Sequence, residues 1–172
     1  MFNKNNHVMK LVIISLLIAL EILLTRIFCI QTPLLRISFG FLPPALTAML
    51  YGPLWAGAAY ALGDLIGGYL LPSGPFFFGF TLTAFLTGLV FGIMFYNKKP
   101  GICRCIIASG IISFIINLCL DTLWLYILMR EGLIAILPIR ILKICIMFPV
   151  IAFTCYFFQT KVISKISGIQ TQ

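Results

Sequence analysis

The feature that most constrains this chain is a series of apolar stretches of bilayer-spanning length, punctuated by Gly and Pro. They run Val8 to Cys29, Leu54 to Leu71, Phe76 to Tyr96, Cys105 to Leu128 and Pro138 to Phe158. Each is long enough to cross a hydrocarbon core of ~30 Å as a helix rising ~1.5 Å per residue. Lipid offers no partner to a free N–H or C=O, so such segments must close their own hydrogen bonds as α-helices. With 62% hydrophobic and 9% charged residues and a mean hydropathy of +1.14, the chain cannot be covered by a polar surface in water. The expected fold class is an all-α integral membrane protein.

One stretch breaks the pattern. In RISFGFLPPAL, Arg36 to Leu46, a cation, a glycine and two adjacent prolines fall where another crossing belongs. The helix that follows, Pro43 to Tyr51, is only ~14 Å long before Gly52 and Pro53 turn the chain, about half a bilayer. Non-helical backbone at membrane depth is tolerated where protein encloses it or a watery cavity borders it, which makes Thr32 to Leu42 a candidate cavity loop. Counting the short helix, the expected architecture is six transmembrane helices in a single domain over 1–172, with a short second helix and a re-entrant-like outer loop. The first stretch begins like a signal peptide, after Lys4 and Lys10, but it is too long, lacks an A-x-A site and contains Glu21. It reads as a retained span, and no soluble appendage is expected.

Basic residues orient the chain. With N- and C-termini cytoplasmic, Lys4, Lys10, Lys98, Lys99, Arg104, Lys161 and Lys165, seven of the twelve cations, fall on the inner side. Arg26, Arg36, Arg130, Arg140 and Lys143 fall toward the outer face, where that bias gives no reason for them. Three outward-starting helices there are preceded or opened by proline (Pro43 and Pro44, Pro75, Pro138), which suits a first turn. Their amino ends bring partial positive charge and free N–H donors to one side, a setting for an anion. Arg140 and Lys143, three apart, share a helix face, and Arg26 in the outer third of the first span is expected to turn inward. The alternative is that these cations snorkel to outer head groups, with Arg130 beside Glu131 the plainest case.

Asn117, Asp121 and Trp124 follow i, i+4, i+7 spacing on the fifth span. A carboxylate and an amide beside an aromatic plane suit a flat, nitrogen-rich ring. Asp121 serves equally as a counter-ion to Arg26, Arg140 or Lys143, and the two roles are compatible. Glu21 and Asp64 read as buried, hydrogen-bonded or ion-paired groups, Asp64 among Gly63, Gly67 and Gly68 on a face suited to close helix packing. Phe76, Phe77 and Phe78 read as packing and interface anchors that can also form a pocket wall. Together these features describe a ligand with carboxylates at one end and a heterocycle at the other.

Other function classes lack their residues. There is no G-x-x-x-x-G-K-[ST], so ATP-driven pumping would need a partner. His7 is the only histidine, and no H-E-x-x-H, G-x-S-x-G elbow or nucleophile with a nearby base occurs, so the chain does not read as an enzyme. A net charge of +8 without a basic stripe or aromatic platform does not indicate nucleic acid. The six cysteines lie mostly in apolar runs, and the lone C-x-C of Cys103 and Cys105 lacks the further ligands of a metal site. Ser15 and Ala19, a small pair at four-residue spacing, offer either a docking face for another helix or ordinary internal packing.

Two stretches, LLRISFGFLPPALTAMLYGP from Leu34 to Pro53 and GDLIGGYLLPSGPFFFGFTLTAFLTGLVFG from Gly63 to Gly92, resemble the folate-specific S components of energy-coupling factor transporters. LPIRILKICIMFP, Leu137 to Pro149, is similar to that family's last span, and the likeness in span order covers nearly the whole chain. The resemblance implies a six-helix protein of the bacterial cell membrane that binds folate or a related pterin from outside and uses no cofactor. It also implies partners: a transmembrane coupling protein and two cytoplasmic ATPases. On that basis the expected ligand residues are Arg26, Arg36, Phe39, Asn117, Asp121, Trp124, Arg140 and Lys143. Arg36, Arg140 and Lys143 would meet glutamyl carboxylates, Asn117 and Asp121 the pterin, and Trp124 would stack. Gly40, Pro43 and Pro44 belong to the expected gate loop, and Ser15 and Ala19 stand where the family has an A-x-x-x-A docking pair. Two rival readings stay open: a proton-coupled carrier or exporter with Glu21, Asp64 and Asp121 as relay, and an S component for another vitamin.

Overall fold

The apolar stretches form helices, several of which end near a Gly or Pro, as at Gly52 and Pro53. The structure, a computed structural model, describes residues 4–31, 36–71, 77–98, 101–129 and 133–169, with side chains at 4–6, 30, 31, 36, 37, 129, 133–136, 139 and 162–169 excepted. Pro75, Phe76, Lys99, Arg130 and Glu131 lie outside the described residues, as do the side chains of Lys4, Arg36 and Lys165. Helix α1, Lys4–Ile22, runs into a π-wound turn, Leu23–Ile27, closed by Phe28 N–H on the Leu23 carbonyl at 3.0 Å. Strands β1, Cys29–Gln31, and β2, Arg36–Ser38, then pair antiparallel, with Cys29 opposite Ser38 and Gln31 opposite Arg36.

Helix α2, Leu42–Tyr51, opens on Pro43 and Pro44, whose fixed φ and missing N–H suit a first turn. It ends at Gly52, at φ 90°, a left-handed conformation that favours glycine, and Pro53 starts α3, Pro53–Leu70, at once. Helix α4 spans Phe78–Phe95. Helix α5, Ile102–Gly110, a π-wound segment Ile111–Leu120, and α6, Asp121–Met129, follow without a break, and α7 runs over Leu133–Ile169. Among the described residues four stretches, His7–Ile27, Phe78–Phe95, Ile102–Leu128 and Arg140–Lys161, are long and apolar enough to cross a membrane. This is a membrane α-helical fold with one short hairpin.

Glycines bring α3 and α4 together. A Cβ on Gly88 would meet the Ala56 carbonyl oxygen at 2.6 Å and Gly57 Cα at 2.7 Å, and one on Gly92 would collide with Pro53. The core joins α2, α4, α5, the π-wound segment and α7 through Ala48, Phe91, Phe95, Ala108, Ile112, Ile151 and Cys155. Helix α1 is peripheral: among its described side chains only Ile14 and Glu21 are buried, while Leu11, Val12, Leu16 and Leu20 face outward. In a lipid setting those outward positions need no polar cover.

Two expectations need correction. The stretch after α1 is not wholly irregular, because β1 and β2 pair their own backbone groups, which meets the requirement that a buried or membrane-level backbone be satisfied. Pro138 does not open a helix. It lies in the second turn of the 37-residue α7, which also contains Pro149. Proline inside a membrane helix is accommodated because neighbouring helices and local adjustment satisfy the carbonyl it leaves free. The amino end of α7 therefore lies ~10 Å of helix rise before Arg140, and the dipole argument made from Pro138 fails there.

Because Gly88 sits against backbone that has no side chain to move, Gly88→Ala is expected to lower the stability of the solubilised protein by about 1–3 kcal/mol. Gly110→Ala, whose nearest neighbour is Phe148 at 3.9 Å, is expected to cost less than about 0.5 kcal/mol. Thermal melts of the two variants in the same detergent check the difference.

Candidate ligand site

The polar side chains gather at the end of the bundle that carries the hairpin, in two linked groups. The first is built where α1 meets α3. Gly63 and Gly67, expected to bring helix backbones together, instead form a trough that admits charged side chains of α1. A Cβ on Gly63 would collide with the Glu21 carboxylate, and one on Gly67 would lie 3.0 Å from Arg26 Nε. Arg26, with an 8% exposed side chain, extends Nη2 to Asp64 Oδ1 at 3.5 Å and to the Asp64 carbonyl at 3.4 Å. The other Asp64 oxygen, Oδ2, accepts from Thr81 Oγ1 of α4 at 3.0 Å. A guanidinium at this depth needs such a partner, since an uncompensated one costs about 2.5 kcal/mol or more.

The second group joins α4, α6 and α7. Trp124 donates from Nε1 to Thr83 Oγ1 at 3.1 Å, lies over Gly79, and meets the Phe77 ring at 5.5 Å between centroids with planes at 48°. Thr83 in turn donates to the Gly79 carbonyl at 3.0 Å, and Asp121 on α6 lies in the electrostatic field of Lys143, Arg140 and Asp64. The structure thus brings Asp121, Arg140 and Lys143 together. Asp121 is close enough to Arg140 and Lys143 to feel their charge, which is compatible with the counter-ion role weighed for it, and Asp64 lies within the same field.

Winding changes the face that sequence spacing described. Asn117 lies in the π-wound segment, so simple i, i+4 phasing to Asp121 does not hold there. It contributes its main-chain carbonyl, which accepts from Arg140 Nη1 at 3.0 Å. Arg140 is 7% exposed, and its Nε is buried without a protein partner. An arginine carries five donors, so a buried one with an open donor is prepared for an acceptor from outside.

The remaining expected residues divide by position. Phe39 is half exposed beside the buried Phe41, with ring centroids 6.3 Å apart. Gly40 is buried, its α-carbon so close to the Thr25 methyl that a Cβ would overlap it, and Pro43 and Pro44 are buried in the first turn of α2. Arg36 lies in β2 opposite Gln31. Ser15 and Ala19 lie on the exposed face of α1, Ser15 Oγ donating to the Leu11 carbonyl at 2.9 Å. Among the described residues no group of three His, Cys, Asp or Glu is placed to hold a metal. All six cysteines are unbridged, and the C-x-C pair is split, Cys103 exposed and Cys105 buried against Gln159.

Sequence reasoning missed Thr81 and Thr83. The signal was a set of hydroxyls in an otherwise apolar helix, Thr81, Thr83 and Thr87 of α4, where a side-chain donor that cannot reach water must find an acceptor. Phe77, read as an anchor that can form a wall, does stand against Trp124. The site therefore presents cations held by fixed partners beside an aromatic face whose orientation is locked by a hydrogen bond. An arrangement of this kind is chemically suited to an anion joined to a flat ring.

Comparison with known proteins shows the family. The family model described as "ECF transporter, substrate-specific component" matches residues 9–158. A folate transporter FolT from Clostridium novyi (strain NT) is 42% identical over 146 residues, covering 85% of each chain. A folate transporter FolT from Leuconostoc mesenteroides subsp. mesenteroides is 32% identical over 154 residues, covering 86% of this chain and 83% of its own. A crystal structure of FolT bound with folic acid superposes with a TM-score of 0.84 at 35% identity, covering 88% of this chain and 92% of that one. The chain belongs to the substrate-specific components of ECF transporters, a family of transport subunits rather than enzymes.

Proposed function

We propose that this chain captures folate at the outer face of a bacterial cell membrane and delivers it inward with an ATP-driven module of a transmembrane coupling protein and two cytoplasmic ATPases. The observation that carries this reading is that Arg140 and Lys143, in the field of Asp121, lie beside the ring platform of Trp124 and Phe77, which Thr83 holds in place. Folate has matching halves: glutamyl carboxylates for the cations and a pterin for Asn117, Asp121 and the Trp124 ring. Arg26, Arg36 and Phe39 complete the ligand set from the α1 end and the hairpin. The similarity to folate transporters supports the same ligand.

The topology in this reading has six membrane-embedded helices, α5, the π-wound segment and α6 counting as one, with both termini cytoplasmic. Exposed Lys98, Arg104 and Lys161 at the end opposite the site support that orientation. The loop from Arg36 to Leu42, with Gly40 in it, forms the gate. Pro43 and Pro44, seated in the first turn of α2, are its fixed end. Ser15 and Ala19, on the outward face of α1, form the docking contact for the coupling protein. The proton-relay alternative fits less well, because Asp64 is engaged by both Arg26 and Thr81.

Titration calorimetry of the purified chain against a vitamin panel tests ligand and class together, and tighter binding of another vitamin than of folate would refute the assignment. Arg140→Ala is expected to weaken folate about ten- to hundredfold while sparing a glutamate-free pterin fragment. Trp124→Ala is expected to weaken both ligands, by about 1–3 kcal/mol of stacking. Ala19→Trp is expected to leave folate binding unchanged and abolish ATP-dependent uptake in vesicles holding the complete complex. Uptake driven by a proton gradient with this chain alone would favour the carrier instead.

A further inference from the structure

We infer that Asp64 is a positioning residue for ligand recognition, holding the Arg26 guanidinium where it meets a ligand carboxylate without touching the ligand itself. The inference rests on the folate reading above and extends it to a residue one step back from the ligand. Both Asp64 oxygens are engaged from different helices, Oδ1 by Arg26 Nη2 of the π-wound turn and Oδ2 by Thr81 Oγ1 of α4. The Asp64 carbonyl accepts from the same Nη2, so side chain and main chain of one residue locate one nitrogen. Gly67, one turn further along α3, is the floor on which the rest of the guanidinium lies.

Geometry makes this bracket important for Arg26. Helix α1 buries little else, its described buried side chains being Ile14 and Glu21, so besides the Glu21 carboxylate against Gly63, the Arg26–Asp64 contact helps to locate the end of this span. Thr81 prevents the Asp64 carboxylate from swinging away, and through it α4 also determines where Arg26 sits. Asp64 is near enough to Asp121 to interact with it, so the bracket lies within the field that a ligand anion enters. Engaged by Arg26 and Thr81, Asp64 repels that anion less than a lone carboxylate would.

Calorimetry on the full chain in detergent, with folate and with its glutamate-free fragment, tests the inference. Asp64→Asn is expected to weaken folate about tenfold or more and the fragment less than about threefold. Asp64→Glu, which restores a carboxylate, is expected to recover most of the loss. Thr81→Val keeps the charge and frees the carboxylate to rotate; it is expected to show the same bias toward folate at smaller size, and it decides the matter if Asp64→Asn does not fold. Equal loss for both ligands, or loss for neither, overturns the inference and leaves Asp64 a structural ion pair. Failure of the unaltered protein to bind folate sinks the functional reading itself and this inference with it, and is seen before any variant is titrated.

Discussion

Charge inside a hydrocarbon-spanning bundle must find a partner, and much of the ligand end follows from that requirement. Arg26 and Glu21 sit on a helix that otherwise turns toward lipid, so each needs an enclosed place on the facing helix. Glycines at 63 and 67 provide it by removing the side chains that would fill the space. The small-residue pattern that ordinarily permits close helix approach here makes room for a guanidinium and a carboxylate. Where the same device does draw backbones together, at Gly57, Gly88 and Gly92, the α3–α4 pair becomes a rigid support for Thr81 and Thr83.

The π-wound segment matters for a related reason. Wider winding changes which carbonyls and side chains face inward, and such segments concentrate at functional sites. Between Ile111 and Leu120 it presents the Asn117 carbonyl to Arg140 and hands over to regular helix at Asp121, so one turn serves both a cation and its counter-ion. The binding surface is therefore held by backbone geometry on one side and by threonine hydroxyls on the other. Rigidity of this kind favours a ligand whose charge and ring stand at a fixed separation.

Much of this was legible beforehand. Apolar length told the membrane setting, the paired prolines told the short helix starting near Pro43, and an isolated cation at depth told that Arg26 turns inward. Pro138 misled because a proline is equally compatible with a first turn and, in a protein-lined membrane setting, with a helix interior. The spacing argument that put Asn117 and Asp121 on one face presupposes a period of 3.6 residues, which the π-wound segment does not keep. The hairpin escaped notice because strands of three residues carry almost no pattern.

By itself the sequence determined what must be avoided: water around the apolar spans, free backbone in lipid and unpaired charge at depth. Those are local properties of residue type and run length, and they need no partner to be stated. Which partner each charge takes was decided by tertiary structure alone. Asp64 pairs with Arg26 and not with Arg140, and Trp124 donates to Thr83 of another helix, because helix packing sets distances between residues far apart in the chain, and electrostatic and hydrogen-bond energies fall steeply over those few ångströms.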